Sequence, residues 1–112
     1  MGNFKGVYND DENPLSITMQ STGSTKITRM YVIKQSLTPA AVGANTTAEQ
    51  TFTVTGVVVG DSLDINKASH QTGLSIGNVR VSAANQIAIQ YVNTTAGSIT
   101  PTAEVYTIGG MA

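Results

Sequence analysis

The residues able to do chemistry in this chain are few and scattered. His70 is the single histidine. It sits in the polar run Lys67, Ala68, Ser69, His70, Gln71. A general base needs an orienting partner and a group to act on, and this setting reads as a solvated or surface-packing loop. One histidine supplies at most one metal ligand among carboxylates. Asp61 and Asp64, three residues apart with Asn66 nearby, offer oxygens to Ca²⁺. The alternate ligand positions and terminal glutamate of a calcium loop are missing. Asp61, following Gly60, reads instead as a turn cap. Asp10, Asp11 and Glu12 form a solvated acidic run. Asn93, Thr94 and Thr95 match a glycosylation sequon, although no secretory route is marked. Gly56 and Gly60 lack the following Lys and Ser/Thr of a phosphate loop. Phe4, Tyr8, Tyr31, Phe52, Tyr91 and Tyr106 are too dispersed for a stacking platform. The chain has no cysteine, which removes disulfides, thiolate chemistry and cysteine-bound metals. The expectation is a protein with no catalytic residues, no cofactor and no metal site, and therefore not an enzyme.

The elements that carry these residues are strands. The 112 residues suffice for one domain, which buries about two-thirds of its unfolded surface. Charged residues make up 12%, about half the usual share. Sixteen threonines and nine serines take their place, and β-branched threonine suits a solvated strand face. The net charge is −1 and the six basic residues are dispersed, which argues against a nucleic-acid surface. Val57, Val58 and Val59 make the longest apolar run, far short of a membrane span. The first residues show no apolar stretch of the kind that marks a signal peptide. Weak surface charge favours association with itself or with a partner.

Period-two alternation is clearest over residues 86–93, with Ile87, Ile89 and Tyr91 on one face. The strand before it, residues 74–82, slips phase at Gly77 and Asn78, which predicts a β-bulge. Asn85 is expected near the left-handed region in the turn between them. Residues 26–34 read as a strand with apolar residues on both faces, which predicts a central position. Residues 50–59 read as a strand with Phe52 and Val54 inward and threonines outward. Residues 62–65 and 103–108 complete the set, and Pro101 marks a strand entrance. The fold predicted is all-β: a small antiparallel β-sandwich or barrel, jelly-roll-like, over residues 24–112. Residues 1–23 read as an extended N-terminal arm. Within it, residues 15–19 alternate briefly, as an edge strand or one formed against a partner.

One further pattern runs through residues 50–108. It comprises the Thr53, Val54, Thr55, Gly56 stretch, Gly60 and Asp61, and Gly73 to Ile76. It continues through the Val81, Ser82, Ala83, Ala84, Asn85 turn, the alternating strand, the Asn93, Thr94, Thr95 loop, Pro101 and Tyr106. This resembles a C-terminal β module of small structural proteins of tailed bacteriophages, cyanophages among them. The resemblance implies a virion protein. It implies in particular a capsid decoration (cement) protein that binds the outer face of the major capsid shell and stabilises it. The partners implied are the major capsid protein and further copies of the chain, as a dimer or trimer, with no nucleic acid and no membrane. The implied location is the capsid surface, after assembly in the host cytoplasm. Contact with the capsid or between subunits is expected of the arm, through Phe4, Tyr8, Asp10, Asp11, Leu15 and Ile17. The alternative reading is a tail, neck or fibre component that binds host-surface glycans. That reading requires Tyr31, Tyr91 and Tyr106 to be exposed together.

Overall fold

Six strands form where the alternation is strongest: β1 Met30–Leu37, β2 Thr46–Thr53, β3 Ser62–Lys67, β4 Leu74–Ala83, β5 Gln86–Asn93 and β6 Glu104–Met111. This computed structural model describes residues 26–112, so the arm expected over residues 1–23 lies outside it. No helix occurs among the described residues. The strands make two antiparallel three-stranded sheets packed together, ordered β1, β6, β3 and β2, β5, β4. Only β4 and β5 join as a hairpin within one sheet; every other connection crosses to the other layer. This is the expected sandwich with jelly-roll-like crossings.

The core is the set of inward residues that period two selects. In the first sheet Ile108 lies between Ile33 and Ile65. In the second, Ile87 lies between Phe52 and Val81, and Ile89 between Gln50 and Val79. The two central strands, β5 and β6, supply the deepest side chains: Ile87, Ile89, Tyr91, Tyr106 and Ile108 are fully buried. Tyr91 and Tyr106 meet between the layers, with their hydroxyl oxygens 2.9 Å apart. Burial first, then the hydrogen bond to Tyr106, pushes the Tyr91 phenol up. Burial likewise raises that of Tyr106.

The local devices of the hairpin fall where the residue types place them. The register between β4 and β5 shifts between Ile76 and Asn78, at the predicted bulge, and shifts again between Val81 and Ala83. Asn85 has φ 60°, and its backbone holds Val54 at 3.0 Å and Val57 at 3.0 Å. Gly110 is required for a different reason. A Cβ there would overlap the Tyr31 ring, which lies across that position.

Two expectations are corrected. The two-sided apolar pattern of residues 26–34 predicts a central strand, but among the described residues β1 is an edge strand paired only with β6. Its second apolar face, Met30 and Val32, is exposed rather than buried. The strand expected over residues 50–59 ends at Thr53. Gly56, with φ 103°, turns the chain, so Val57 is buried from a loop and Val58 and Val59 are left outside.

The tyrosine pair yields a sharp test. Tyr91→Phe or Tyr106→Phe leaves one buried hydroxyl without its partner, which should cost about 1–3 kcal/mol. The double variant strands neither group and should be little worse than either single one. Chemical denaturation of the four proteins measures this coupling. Additive losses would mean that the hydroxyls do not depend on each other.

Candidate interaction surface

The two outward sheet faces differ in chemistry. The second sheet shows water Thr47, Glu49, Thr51 and Thr53 from β2, and Ser75, Asn78 and Arg80 from β4. The Arg80 guanidinium reaches across β5 and donates to both Glu49 carboxylate oxygens, each at 2.9 Å. That grip holds the Glu49 carboxyl below its ordinary range. The first sheet shows the exposed apolar Met30, Val32 and Met111 together at one end and Val105 at the other, with the polar row Lys34, Thr107 and Asn66 between them. Val32 is the most exposed of them, at 67%.

Beside Met30, Val32 and Met111 runs a groove of about 430 Å³, lined also by Ser62, Asp64 and Gly109. Its floor is bare backbone at Gly109. Val32 of β1 and Asp64 of β3 stand on either side of it. Met30 and Ser62 flank Met111 in the next row.

A loop at the same end carries two more exposed valines. Residues 54–61 lead into Ser62, which pairs with Met111. Val59 at the tip is 63% exposed, yet the loop is fastened on both sides. Gly56 donates its N–H to Asn85 Oδ1 at 2.8 Å. Arg29 donates to the Gly56 carbonyl at 2.8 Å and to Asp61 Oδ1 at 2.9 Å. Asp61 Oδ2 accepts from the Tyr31 hydroxyl at 2.6 Å and from the Val58 N–H at 3.1 Å. The Asp61 side chain is only 2% exposed. Burial pushes its carboxyl up, but the bonds from Tyr31 and Val58 and the charge of Arg29 outweigh that and hold it below its ordinary value. The Tyr31 hydroxyl is pushed up to about 12 by burial, then by the bond it donates to Asp61 and by that carboxylate's charge. Fastened this way, the tip presents its valines as a fixed knob.

The residues singled out by sequence fall into distinct places. Phe4, Tyr8, Asp10, Asp11, Leu15 and Ile17 lie outside the described residues. Tyr31, Tyr91 and Tyr106 do not make an exposed patch, because Tyr91 and Tyr106 are fully buried. Asp61 is a loop fastener, beyond the simple turn cap its position after Gly60 suggests. Asp64 is separated from it in role and faces the groove. Asn93 of the sequon is buried at 1% exposure. Its amide donates to the Val42 and Gly97 carbonyls at 3.1 and 2.8 Å. Its oxygen accepts from the Thr95 N–H at 2.9 Å and the Thr95 hydroxyl at 2.7 Å. The threonine at the third sequon position therefore serves a turn, and the asparagine is spent inside the fold.

His70 is exposed. Beside it, Lys67 Nζ lies 2.8 Å from Glu104 Oε2 and donates to Ser69 Oγ at 3.0 Å. Ser69 Oγ in turn donates to Glu104 Oε2 at 2.7 Å. Those bonds, Lys67 first, hold the Glu104 carboxyl low. The serine hydroxyl already donates to a carboxylate and its amine neighbour is ion-paired, so this trio lacks a free base and closes a loop. Sequence reasoning missed the groove and the valine knob. The signal for both was present, in the apolar second face of residues 26–34 and in three consecutive valines after Gly56.

The Asp61 cluster predicts an acid-sensitive fold. A carboxyl lowered on folding contributes stability that is present above its ordinary value of 3.8 and is lost as pH falls through the depressed value. Asp61→Asn should be less stable at neutral pH by about 1.5–3 kcal/mol, the worth of bonds to a charged group. Its thermal midpoint should fall less steeply than the wild type's between pH 5 and pH 2. Parallel acid limbs for the two proteins would show that Asp61 does not carry this dependence.

No protein-family model, curated protein or solved structure matches this chain.

Proposed function

We propose that this chain is a virion structural protein, a decoration protein that binds the outer face of a major capsid shell and stabilises it. One structural observation carries the reading. A sandwich pinned through its core keeps one outer face polar, while the other carries the neighbouring exposed Met30, Val32 and Met111 at the end that adjoins a rigid valine knob. Scattered surface apolar residues are ordinary, whereas a contiguous patch marks a contact site. The resemblance of residues 50–108 to a phage structural module supports a capsid shell as the partner. A small rigid body with an apolar end suits attachment at many equivalent lattice positions. Repeated weak contacts across such a lattice add up through avidity. Among the described residues β1 is an edge strand, and such edges can add a strand from a neighbour.

The test is cosedimentation of the purified protein with capsids that lack it, counting bound copies per particle. Hundreds of copies are expected for a decoration role. A dozen or fewer would move the protein to a tail or neck position. Val59→Lys places a charge on the knob, far from the core. It should reduce capsid binding by about tenfold or more, the effect of burying an unpaired charge at an interface, with unfolding unchanged. Removal of residues 1–20 should weaken binding separately; full binding without them would remove the arm from the contact.

A further inference from the structure

The carboxylates of the sandwich are not all used in the same way. Glu49, Asp61, Asp64 and Glu104 lie among the described residues. Glu49, Asp61 and Glu104 are ion-paired, with Arg80, Arg29 and Lys67. Among the described residues Asp64 has no such partner. It is exposed on β3 and lines the groove. The groove is a notch left by a missing side chain. Gly109 lies between Val32 and Asp64 in one row across the sheet, so those two stand roughly 10 Å apart, two strand spacings. Along β6 the same face next carries Met111 on one side and Thr107 on the other, about 13 Å from each other. An α-helix, about 10–12 Å across with its side chains, stands over such an opening, whereas a single long side chain enters it. The floor at Gly109 and the walls at Val32 and Met111 are apolar. The remaining wall is a carboxylate. The occupant that matches needs an apolar stem and a cationic end.

We propose that this notch takes an arginine side chain from the partner that binds this face. The methylene stem lies against Val32, Met30 and Met111, and the guanidinium meets Asp64. Lysine and arginine both lay an apolar stem along apolar surface and keep the charge at its end. Arginine fits better. Its planar guanidinium is weakly hydrated and grips a carboxylate through two N–H groups, whereas an ammonium is a strongly hydrated point charge. β6 is bonded on both sides, so the floor is committed backbone and the charge is answered from the side, by Asp64. Lys34 is on the same face, one row further along and on the opposite edge strand. The two positions are roughly 12 Å apart, beyond the ~8 Å Debye length at physiological salt, and no ion pair joins them. The notch therefore keeps its negative wall. The inference rests on the reading of this face as a contact surface, and it adds what the partner must present there.

The probe is N-acetyl-arginine amide, and its neutral isostere N-acetyl-citrulline amide is the control. Each is titrated into the isotope-labelled full chain while backbone amide shifts are followed by NMR. The arginine compound should saturate at about millimolar concentration, the range open to a ligand of this size. Its shifts should centre on Val32, Asp64 and Gly109. The citrulline compound should bind about tenfold more weakly or worse, and so should the arginine compound to Asp64→Asn, because each change removes one charge from the pair. Gly109→Val fills the notch and should abolish binding. An added Cβ there meets nothing within 4 Å and valine suits a strand, so the unfolding midpoint should not fall. Absence of saturable binding, equal binding of the two compounds, or full binding to Gly109→Val would overturn the proposal. Shifts gathered on other residues would place arginine elsewhere and overturn it too. The capsid count is a separate measurement. Capsids that bind the wild type and Asp64→Asn equally would overturn the arginine contact and leave the capsid reading standing. Arginine binding by a chain that binds no capsid would support the notch and overturn the capsid reading.

Discussion

One hydrogen bond between two phenols ties the two sheets together through the core. Tyr91 and Tyr106 come from the central strands of opposite sheets, and their oxygens sit 2.9 Å apart in the core. Packed sheets stand about 10 Å apart. Two tyrosines reaching into that gap from opposite sheets meet at their hydroxyls. The pair thereby links β5 to β6 across the core. A hydroxyl buried without a partner is costly, so any sliding of one sheet over the other penalises both groups at once. No buried side-chain polar atom among the described residues lacks a partner, and the rest of the interior follows the same rule.

That rule explains what was readable and what was not. The strand over residues 86–93, the bulge at Gly77 and the positive φ of Asn85 are local consequences of period, glycine and asparagine, and each lies where the residues say. The inward sets Leu63 with Ile65 and Phe52 with Val54 are likewise local. Which strands pair is not local. β1 and β6 are adjacent although some seventy residues separate them, and nothing in either stretch names the other. The edge position of β1 was hidden for that reason. Apolar residues on both faces fit a strand buried twice, and equally a strand with one face in the core and one held ready for contact.

The candidate surface was half legible by the same logic. Three consecutive valines after Gly56 announce apolar material that alternation cannot send wholly inward. Their presentation as a rigid knob depends on Asp61, Arg29, Tyr31 and Asn85, whose bonds span 29 to 32 residues of chain. The sequon shows the converse error, in which a local pattern suggests surface chemistry while the fold uses it internally. Asn93 exchanges four hydrogen bonds with Val42, Thr95 and Gly97. It joins the end of β5 to the loop before β2, where Val42 and Ile99 form an isolated bridge.

The protein thus inverts the usual placement at two points. An aspartate and an asparagine are buried, while two valines at a loop tip and a methionine–valine face meet water. The two inversions are coupled. Asp61 is buried because its oxygens hold the loop that exposes Val58 and Val59, and Tyr31, its donor, packs over Gly110 beneath the groove side of the same sheet. Burying one valine fully contributes about 1.5–3 kcal/mol, and in the isolated sandwich the two tip valines forgo much of it. A polar network that spends buried hydrogen bonds to keep apolar side chains outside stabilises a shape more than it stabilises a fold. The free energy left unrealised at the knob is recovered only where another surface covers those valines.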